Sequence, residues 1–396
     1  MRILVLSFYY QPDLSAGSFR TTALVQALLA VLPGDAQIDV ITTMPNRYSS
    51  FSAAVTELEQ SDRLTIRRIA LPAHRSGMRD QSRAFLAYAF FALRLARAQK
   101  YDLVYATSSR LMTAVLGSLV ARRQRSKLYL DIRDIFVDTM HDVLSRKAFF
   151  AVRPVISGLE RFALARAQKV NLVSGGFADY FRRRYPRQSY SFYTNGVDPE
   201  FISAFQAGAD NARTPAAKPA TVLYAGNMGE GQGLHAIIPQ LARKMQGQVR
   251  FRLIGDGGRR EELEYAILAA GCGNVEVLDP VDRSRLIEAY RKADVLFLHL
   301  NDYEAFKKVL PSKIFEYAAS GKPIWAGVAG FSAQFLQREV DNAAVFAPCD
   351  VDGAENAFSR LSLRAVPRHD FVRRFSREAI SRELAEDILR TLNANG

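Results

Sequence analysis

What most limits the fold of this chain is a repeated alternation of short apolar runs of strand length with longer stretches of helical spacing. In the first half the strand-like runs fall near residues 2–8, 37–43, 64–70, 102–107, 127–132 and 169–174. In the second half they fall near 220–225, 249–254, 274–278, 293–300, 323–327 and 343–347. Helical patterns lie between them, among others at 18–32, 83–99, 153–167, 259–271 and 283–292. This alternation predicts parallel sheets covered by helices on both faces, because parallel neighbours need a long crossover connection. A chain of 396 residues is too long for one ordinary core, so two domains are expected. The aperiodic Ala-, Gly- and Pro-rich stretch at 203–219 reads as a linker or a surface loop. The expectation is an α/β protein with Rossmann-like domains at 1–200 and 201–375, their strand carboxyl ends turned to a shared cleft. A helix over about 376–396 is expected to pack back onto the first domain.

Composition narrows the class. With 48% apolar and 23% charged residues the chain is globular. Two cysteines, Cys272 and Cys349, suit a reducing cytosol and show no metal-ligand spacing. The run Ile3–Phe8 is too short for a signal-peptide core and reads as a first strand. No apolar run reaches the roughly 18 residues that would span a bilayer. The nearest, Phe85–Leu93, is closed by Arg94 and Arg97 and fits either a buried or an interfacial helix. Residues 1–200 carry 28 Lys and Arg against 16 Asp and Glu, so the first half holds +12 of the net +13. Such a bias concentrates anionic partners. Nucleic acid, an anionic membrane or a pyrophosphate-bearing acceptor would each fit, but no nucleic-acid recognition signature is present, so anionic lipid leads. A cytoplasmic protein is expected, placed at the inner face of the cytoplasmic membrane.

The densest functional signal is the run Pro311–Pro323, a helix that follows the buried strand Asp294–Leu300 after a short loop. Unpaired amides at such a helix start suit phosphate, and Glu316, one turn in, can accept two ribose hydroxyls. This is the shape of a nucleotide-sugar site. Two Gly-rich turns follow strands in the same manner, Gly226–Leu234 and Gly255–Gly258. Neither has the GxGxxG spacing of a dinucleotide fingerprint, and no GxxxxGK[ST] motif occurs.

Several segments in this order resemble one family. They are Tyr9-Tyr10-Gln11-Pro12 with Gly17 and Arg20, Thr194-Asn195-Gly196-Val197-Asp198, Tyr224-Ala225-Gly226-Asn227, Gly255-Asp256-Gly257 and the 311–323 helix. Together they resemble the retaining GT-B glycosyltransferases of carbohydrate-active family four, in the branch that builds O-antigen and capsular polysaccharides. The resemblance implies two Rossmann-like domains and transfer from a UDP-sugar to a saccharide or polyprenyl-pyrophosphate-linked acceptor. An N-acetylated hexosamine or deoxyhexosamine is the implied sugar, with no nucleic-acid partner.

Carried over residue by residue, it gives Glu316 the ribose. The family's preceding glutamate falls on Lys308, so the sugar end departs from the pattern. The family's loop cations are absent from 226–234. Arg20, Lys307, Lys308 and Lys313, with the amides at 17–20 and 312–314, are then the candidates for the diphosphate. The implied donor-binding set is Gly17, Arg20, Gly226, Asn227, Gly255, Asp256, Lys308, Ser312, Lys313 and Glu316. On the acceptor side, Asp131, Arg133 and Asp134 cluster at a strand end, with Arg133 where the family places histidine. His141 is the nearest histidine. Asp131 or Asp134 would orient or deprotonate the acceptor hydroxyl. No cofactor and no essential metal are expected. A UDP-sugar epimerase, a phosphorylase or a non-catalytic subunit of a polysaccharide assembly complex are the other classes open on this fold.

Overall fold

The computed structural model describes residues 1–394 except 14, 46–54, 72–77, 109–110, 144–145 and 207–218. Most of the 203–219 stretch therefore lies outside the described residues. The chain divides into two compact units, Met1–Asn195 with Arg377–Gly396, and Gly196–Ser376, so the division falls five residues before the expected one.

The first unit runs β1 (Arg2–Leu6), α1 (Ala16–Val31), β2 (Gln37–Thr43), β3 (Leu58–Gln60), β4 (Leu64–Ile69), α2 (Met78–Ala96), β5 (Leu103–Ser108), α3 (Leu111–Gln124) and β6 (Lys127–Ile132). It continues with α4 (Phe136–Val143), α5 (Arg146–Leu164), β7 (Lys169–Leu172), α6 (Ala178–Arg184) and β8 (Tyr190–Ser191). Among the described residues its sheet has the order β3-β4-β2-β1-β5-β6-β7-β8, parallel except for the β3–β4 pair. Ile3, Leu4, Val5 and Leu6 are all fully buried, as a central parallel strand covered on both faces must be. α1 starts at Ser15, whose Oγ accepts the Ser18 N–H at 3.1 Å, satisfying one of the free amides of the first turn.

The second unit runs α7 (Pro199–Gln206), β9 (Ala220–Asn227), α8 (Leu234–Lys244), β10 (Val249–Asp256), α9 (Arg260–Ala269), β11 (Val275–Leu278), α10 (Arg283–Lys292) and β12 (Val295–His299). Then come α11 (Lys313–Ala319), β13 (Ile324–Gly327), α12 (Gly330–Glu339), β14 (Ala343–Phe346), α13 (Val351–Ser359) and α14 (His369–Phe375). Its described strands form an all-parallel sheet, β11-β10-β9-β12-β13-β14. One face buries Trp325 among Phe251, Phe297, Phe346 and Phe358, with the indole N–H donating to Ala354 O at 3.0 Å. The other face buries Tyr290, Phe315, Tyr317 and Phe335. The last helix, α15 (Arg377–Asn393), returns to the first unit and packs on α1.

Strand order decides where a ligand can sit. In the first sheet β1 pairs with β2 on one side and β5 on the other; in the second, β9 pairs with β10 and β12. At such a reversal the connections leave to opposite faces, which opens a crevice at the strands' carboxyl ends. In the second unit that edge is formed by the Gly-rich turn after β9 and by the loop from β12 to α11.

Candidate active site

At the edge of the second sheet, α11 brings Lys313 and Glu316 onto one face, three residues apart. Glu316 Oε2 accepts both the Lys313 ammonium and the Tyr290 hydroxyl, each at 3.0 Å, and Lys313 Nζ also reaches the Tyr290 oxygen at 3.2 Å. This is not a solvated surface pair: the two side chains are only 23% and 16% exposed, and Tyr290 is fully buried beneath them. Burial, reinforced by the Glu316 charge, pushes the Tyr290 phenol far above its ordinary pKa, so it stays a donor. Both bonds go to one oxygen, and Glu316 Oε1 has no partner among the described residues. An oriented carboxylate with one open oxygen can accept a diol. Sequence reasoning missed Tyr290, because a tyrosine at helical spacing on α10 reads as ordinary core. Ser312, the N-cap of α11, has helical backbone and makes no side-chain capping bond.

The two Gly-rich turns are laced together beside this pair. Met228 N–H donates to Asp256 O at 2.8 Å, and Arg259 N–H to Met228 O at 2.9 Å. A Cβ on Gly255 would lie 1.8 Å from Gly226 O, so the approach of β9 to β10 by itself requires glycine there. Asn227 bridges its turn by donating to Gln232 Oε1 at 2.7 Å, and the Asp256 carboxylate accepts the Gly257 N–H at 2.8 Å. The 226–234 turn has no cation of its own, but Arg259 donates to Glu230 at 2.6 Å. The Tyr303 hydroxyl bonds the other oxygen of Glu230; this bond first, and Arg259 after it, holds Glu230 below the usual carboxylate range. His299, fully buried at the end of β12, fixes the same turn. Its Nε2 accepts the Cys349 N–H at 3.0 Å, which leaves Nδ1–H to donate to Gln232 O at 2.7 Å. Burial lowers its pKa to about 4, so the ring is neutral at physiological pH.

The β12–α11 loop holds Lys307 and Lys308. Lys307 is paired with Glu304 at 2.5 Å and with Asp302 at 3.7 Å. Lys308 is half-buried and its charge also lowers the Glu304 pKa, after the larger effect of Lys307.

In the first unit, two expected roles are corrected. Arg20, read as a diphosphate cation, and Asp131, read as an acid or base for the acceptor, are instead each other's buried partners. Their bonds are 3.0 Å (Nε to Oδ2) and 2.9 Å (Nη2 to Oδ1), with side-chain exposures of 4% and 0%. Asn171 at 2.7 Å and Thr107 at 3.3 Å complete the Asp131 carboxylate, while Arg20 also donates to Tyr193 O and Thr194 O. Burial would raise the Asp131 pKa, but Arg20, with Arg133 and Asn171 behind it, offsets burial and holds the carboxyl below its usual range. A carboxylate that is ionised, buried and fully bonded ties β6, β7 and α1 together; it does not shuttle protons. Sequence reasoning recognised that these charges needed partners but could not tell a pair internal to the unit from one that meets a ligand.

Arg133 and Asp134 remain at the edge, both partly exposed. Arg133 lies over the first turn of α1: a Cβ on Gly17 would come within 3.2 Å of its guanidinium. Burial pushes the Asp134 carboxyl up to about 6, with Arg133 opposing the shift. A group that gains and loses a proton near neutrality suits general acid–base work. His141 lies on α4, and its side chain is outside the described residues. Among the described residues, no cluster of three His, Cys, Asp or Glu side chains is placed to hold a metal ion.

Two largely parallel α/β units, each with a crevice at a strand-order reversal, fit the GT-B class of sugar-transferase fold. The solved structures similar to this chain agree. Sucrose-phosphate synthase from Thermosynechococcus elongatus matches with a TM-score of 0.73 at 16% identity, over 100% of both chains. Anabaena Alr3699/HepE, solved with UDP-glucose, matches with a TM-score of 0.66 at 18% identity, over 98% of this chain and 99% of that one. Residues 14–193 match the family described as glycosyl transferase 4-like domain, and residues 209–379 match glycosyl transferases group 1. The Escherichia coli (strain K12) "Putative colanic acid biosynthesis glycosyl transferase WcaI" is 26% identical over 337 residues, 81% of this chain and 82% of that protein. The chain belongs to the group 1 and 4-like glycosyltransferases and has the GT-B fold.

Proposed function

We propose that this glycosyltransferase retains anomeric configuration and moves a sugar from a UDP-sugar to a saccharide or lipid-linked acceptor in cell-surface polysaccharide synthesis. The observation that carries the reading is the carboxylate of Glu316, oriented by Lys313 and Tyr290 with one oxygen open, at the N-terminus of α11. The second unit takes the donor, with the ribose on Glu316 and the diphosphate against the first-turn amides of α11 and Lys313. The Anabaena relative's complexes with UDP and UDP-glucose support the base, and WcaI's description supports a polysaccharide pathway. An N-acetylated hexosamine or deoxyhexosamine is the sugar of this reading.

The first unit takes the acceptor. The acceptor hydroxyl oxygen bonds the anomeric carbon on the face the diphosphate leaves, the C–O bond to the diphosphate breaks, and Asp134 or the departing phosphate oxygen receives the proton. Charge developing on the diphosphate is met by Lys313 and backbone amides, with no protein nucleophile and no essential metal. The reaction belongs in the cytoplasm, at the membrane face where lipid-linked acceptors are found. The test is a panel of UDP-, GDP- and ADP-sugars, measuring nucleotide binding and nucleotide release with and without lipid-linked acceptor. UDP-sugar turnover that depends on acceptor is expected; tighter binding of GDP than UDP would sink the base assignment.

A further inference from the structure

We propose that α2 is a membrane-docking element, which seats the first unit on a bilayer surface containing anionic phospholipid. The reading stands apart from the donor chemistry and deepens only the assignment of a lipid-linked acceptor.

Along its inner face α2 buries Ala84, Phe85, Tyr88 and Ala92 in the core, with Phe85 and Tyr88 packed on Phe8. Its outer face is where the sequence departs from a soluble surface helix. Leu86 is 65% exposed, Phe90 63% and Phe91 43%. Arg83 precedes this apolar centre, while Arg94 and, just past the helix, Arg97 follow it; all three are exposed. The spacing 83, 86, 90, 94 lies on a single stripe of the helix, with Arg97 just beyond its end, so the large apolar groups sit between guanidiniums at both ends. None of these three arginines has an acidic partner among the described residues.

The apolar face continues off the helix. Phe91 and Leu95 line an open groove of about 470 Å³ with Leu58, itself 53% exposed on β3. Arg67 and Arg94 line that groove too, and Glu57 is its acidic member. α5, which also packs on α3, exposes Phe150 and, on another side, Val155, with Lys147 and Arg153 exposed on the same helix.

Charge complementarity selects the occupant. A protein partner would have to supply carboxylates in register with both ends of the stripe. A bilayer presents phosphates everywhere in the headgroup plane, and arginines can reach up to them while the apolar centre sinks toward the acyl chains. The +12 balance of residues 1–200 adds long-range attraction to the same surface. Among the described residues no helix is long and apolar enough to cross a membrane, so the contact is peripheral.

The experiment is vesicle sedimentation of the full chain, without nucleotide, using phosphatidylcholine vesicles with and without phosphatidylglycerol. The expected result is binding that needs phosphatidylglycerol and weakens as salt is raised. A Leu86→Ser, Phe90→Ser variant should partition at least about tenfold more weakly, because two large apolar side chains no longer leave water. Both positions are exposed, so the variant should keep its circular dichroism, its thermal midpoint and its UDP affinity. The UDP measurement separates failure of this proposal from failure of the donor assignment. Wild-type protein that ignores phosphatidylglycerol vesicles, or a variant that binds them as wild type does, would overturn the proposal. So would light scattering that shows a wild-type dimer which the variant splits, since the face would then serve a second copy.

Discussion

Replacing Glu316 by alanine removes one carboxylate from a three-membered cluster, and the structure says what each remaining member does. The open Oε1 is the acceptor assigned to the ribose hydroxyls. Losing a hydrogen bond to a charged group costs about 1.5–3 kcal/mol, or about ten- to 150-fold in affinity. An opposing effect is smaller. Lys313 loses its 3.0 Å counter-ion and becomes available to the diphosphate. The pair keeps some exposure, 23% and 16%, so its release is worth about 1 kcal/mol and restores at most about fivefold. The net expectation is UDP binding weakened about two- to 150-fold by calorimetric titration. Tyr290→Phe keeps the ring contacts with Phe201 and Tyr317 but removes the hydroxyl that orients Glu316, so a smaller loss of about three- to tenfold is expected.

The decisive ligand is 2′,3′-dideoxy-UDP, which keeps base and diphosphate but lacks the diol. Wild-type protein should discriminate against it by about the factor that Glu316→Ala costs toward UDP. The Glu316→Ala variant should bind the two nucleotides equally. If the variant loses affinity for both by the same factor, Glu316 acts on something other than the ribose. If it binds UDP unchanged, the assignment fails outright.

Three further outcomes follow from the charged groups. Arg20→Met should lower the thermal midpoint of the first unit by roughly 10 °C, because it strands a buried carboxylate at a cost of about 3–5 kcal/mol; a variant that folds normally but no longer binds UDP would restore the donor role. Asp134, raised to about 6 in the folded chain, binds its proton more tightly folded than unfolded, so its ionisation costs stability as pH rises from about 4 through 6. Asp134→Asn should therefore gain about 1–2 kcal/mol over wild type at pH 7.5 and nothing near pH 4 in denaturant titrations, with solvent screening allowed for, while losing the acid limb of the transfer rate near pH 6. His299 has the opposite sign: its folded pKa of about 4 lies below the unfolded value, so its stability is complete above about 6.5 and falls by about 3 kcal/mol as pH drops to 4, a slope that His299→Gln should abolish.

Much of the fold was legible because it rests on burial. β1, β6, β9 and β12 are sandwiched between helix layers, so their apolar runs stand out at strand length, and the Gly-rich turns mark where each chain segment reverses. The short strands β3 and β8 carried no such signal; β3 is an edge of three residues and β8 of two, held by register to their neighbours more than by hydrophobicity. At the site, the pairing of Lys313 with Glu316 was readable from helical spacing, while the donor roles given to them rest on the helix start and the family resemblance. The fate of Arg20 was not, because its partner lies 111 residues away on β6 and only strand order brings them together. Tyr290 and His299 escaped for the reverse reason: each is a residue that usually fills a core, and only the atom its polar end meets makes it a positioning group.

The cations near the proposed diphosphate position differ in their partners. The turn at 226–234 has no arginine or lysine, and the neighbouring Arg259 is already held by Glu230 and Glu262, so its charge is largely cancelled where it stands. Lys307 is likewise balanced by Asp302 and Glu304. Lys313 differs in being tied to Glu316, the carboxylate proposed for the ribose. If Glu316 takes the ribose as proposed, Lys313, three residues before it on α11, would lie beside the same ligand. The proposed function would couple ribose capture and phosphate neutralisation through a single pair three residues apart, held from below by Tyr290. On the proposed reading, the charge missing from the Gly-rich turn would be carried on α11, and the turn would be left to provide close backbone approach.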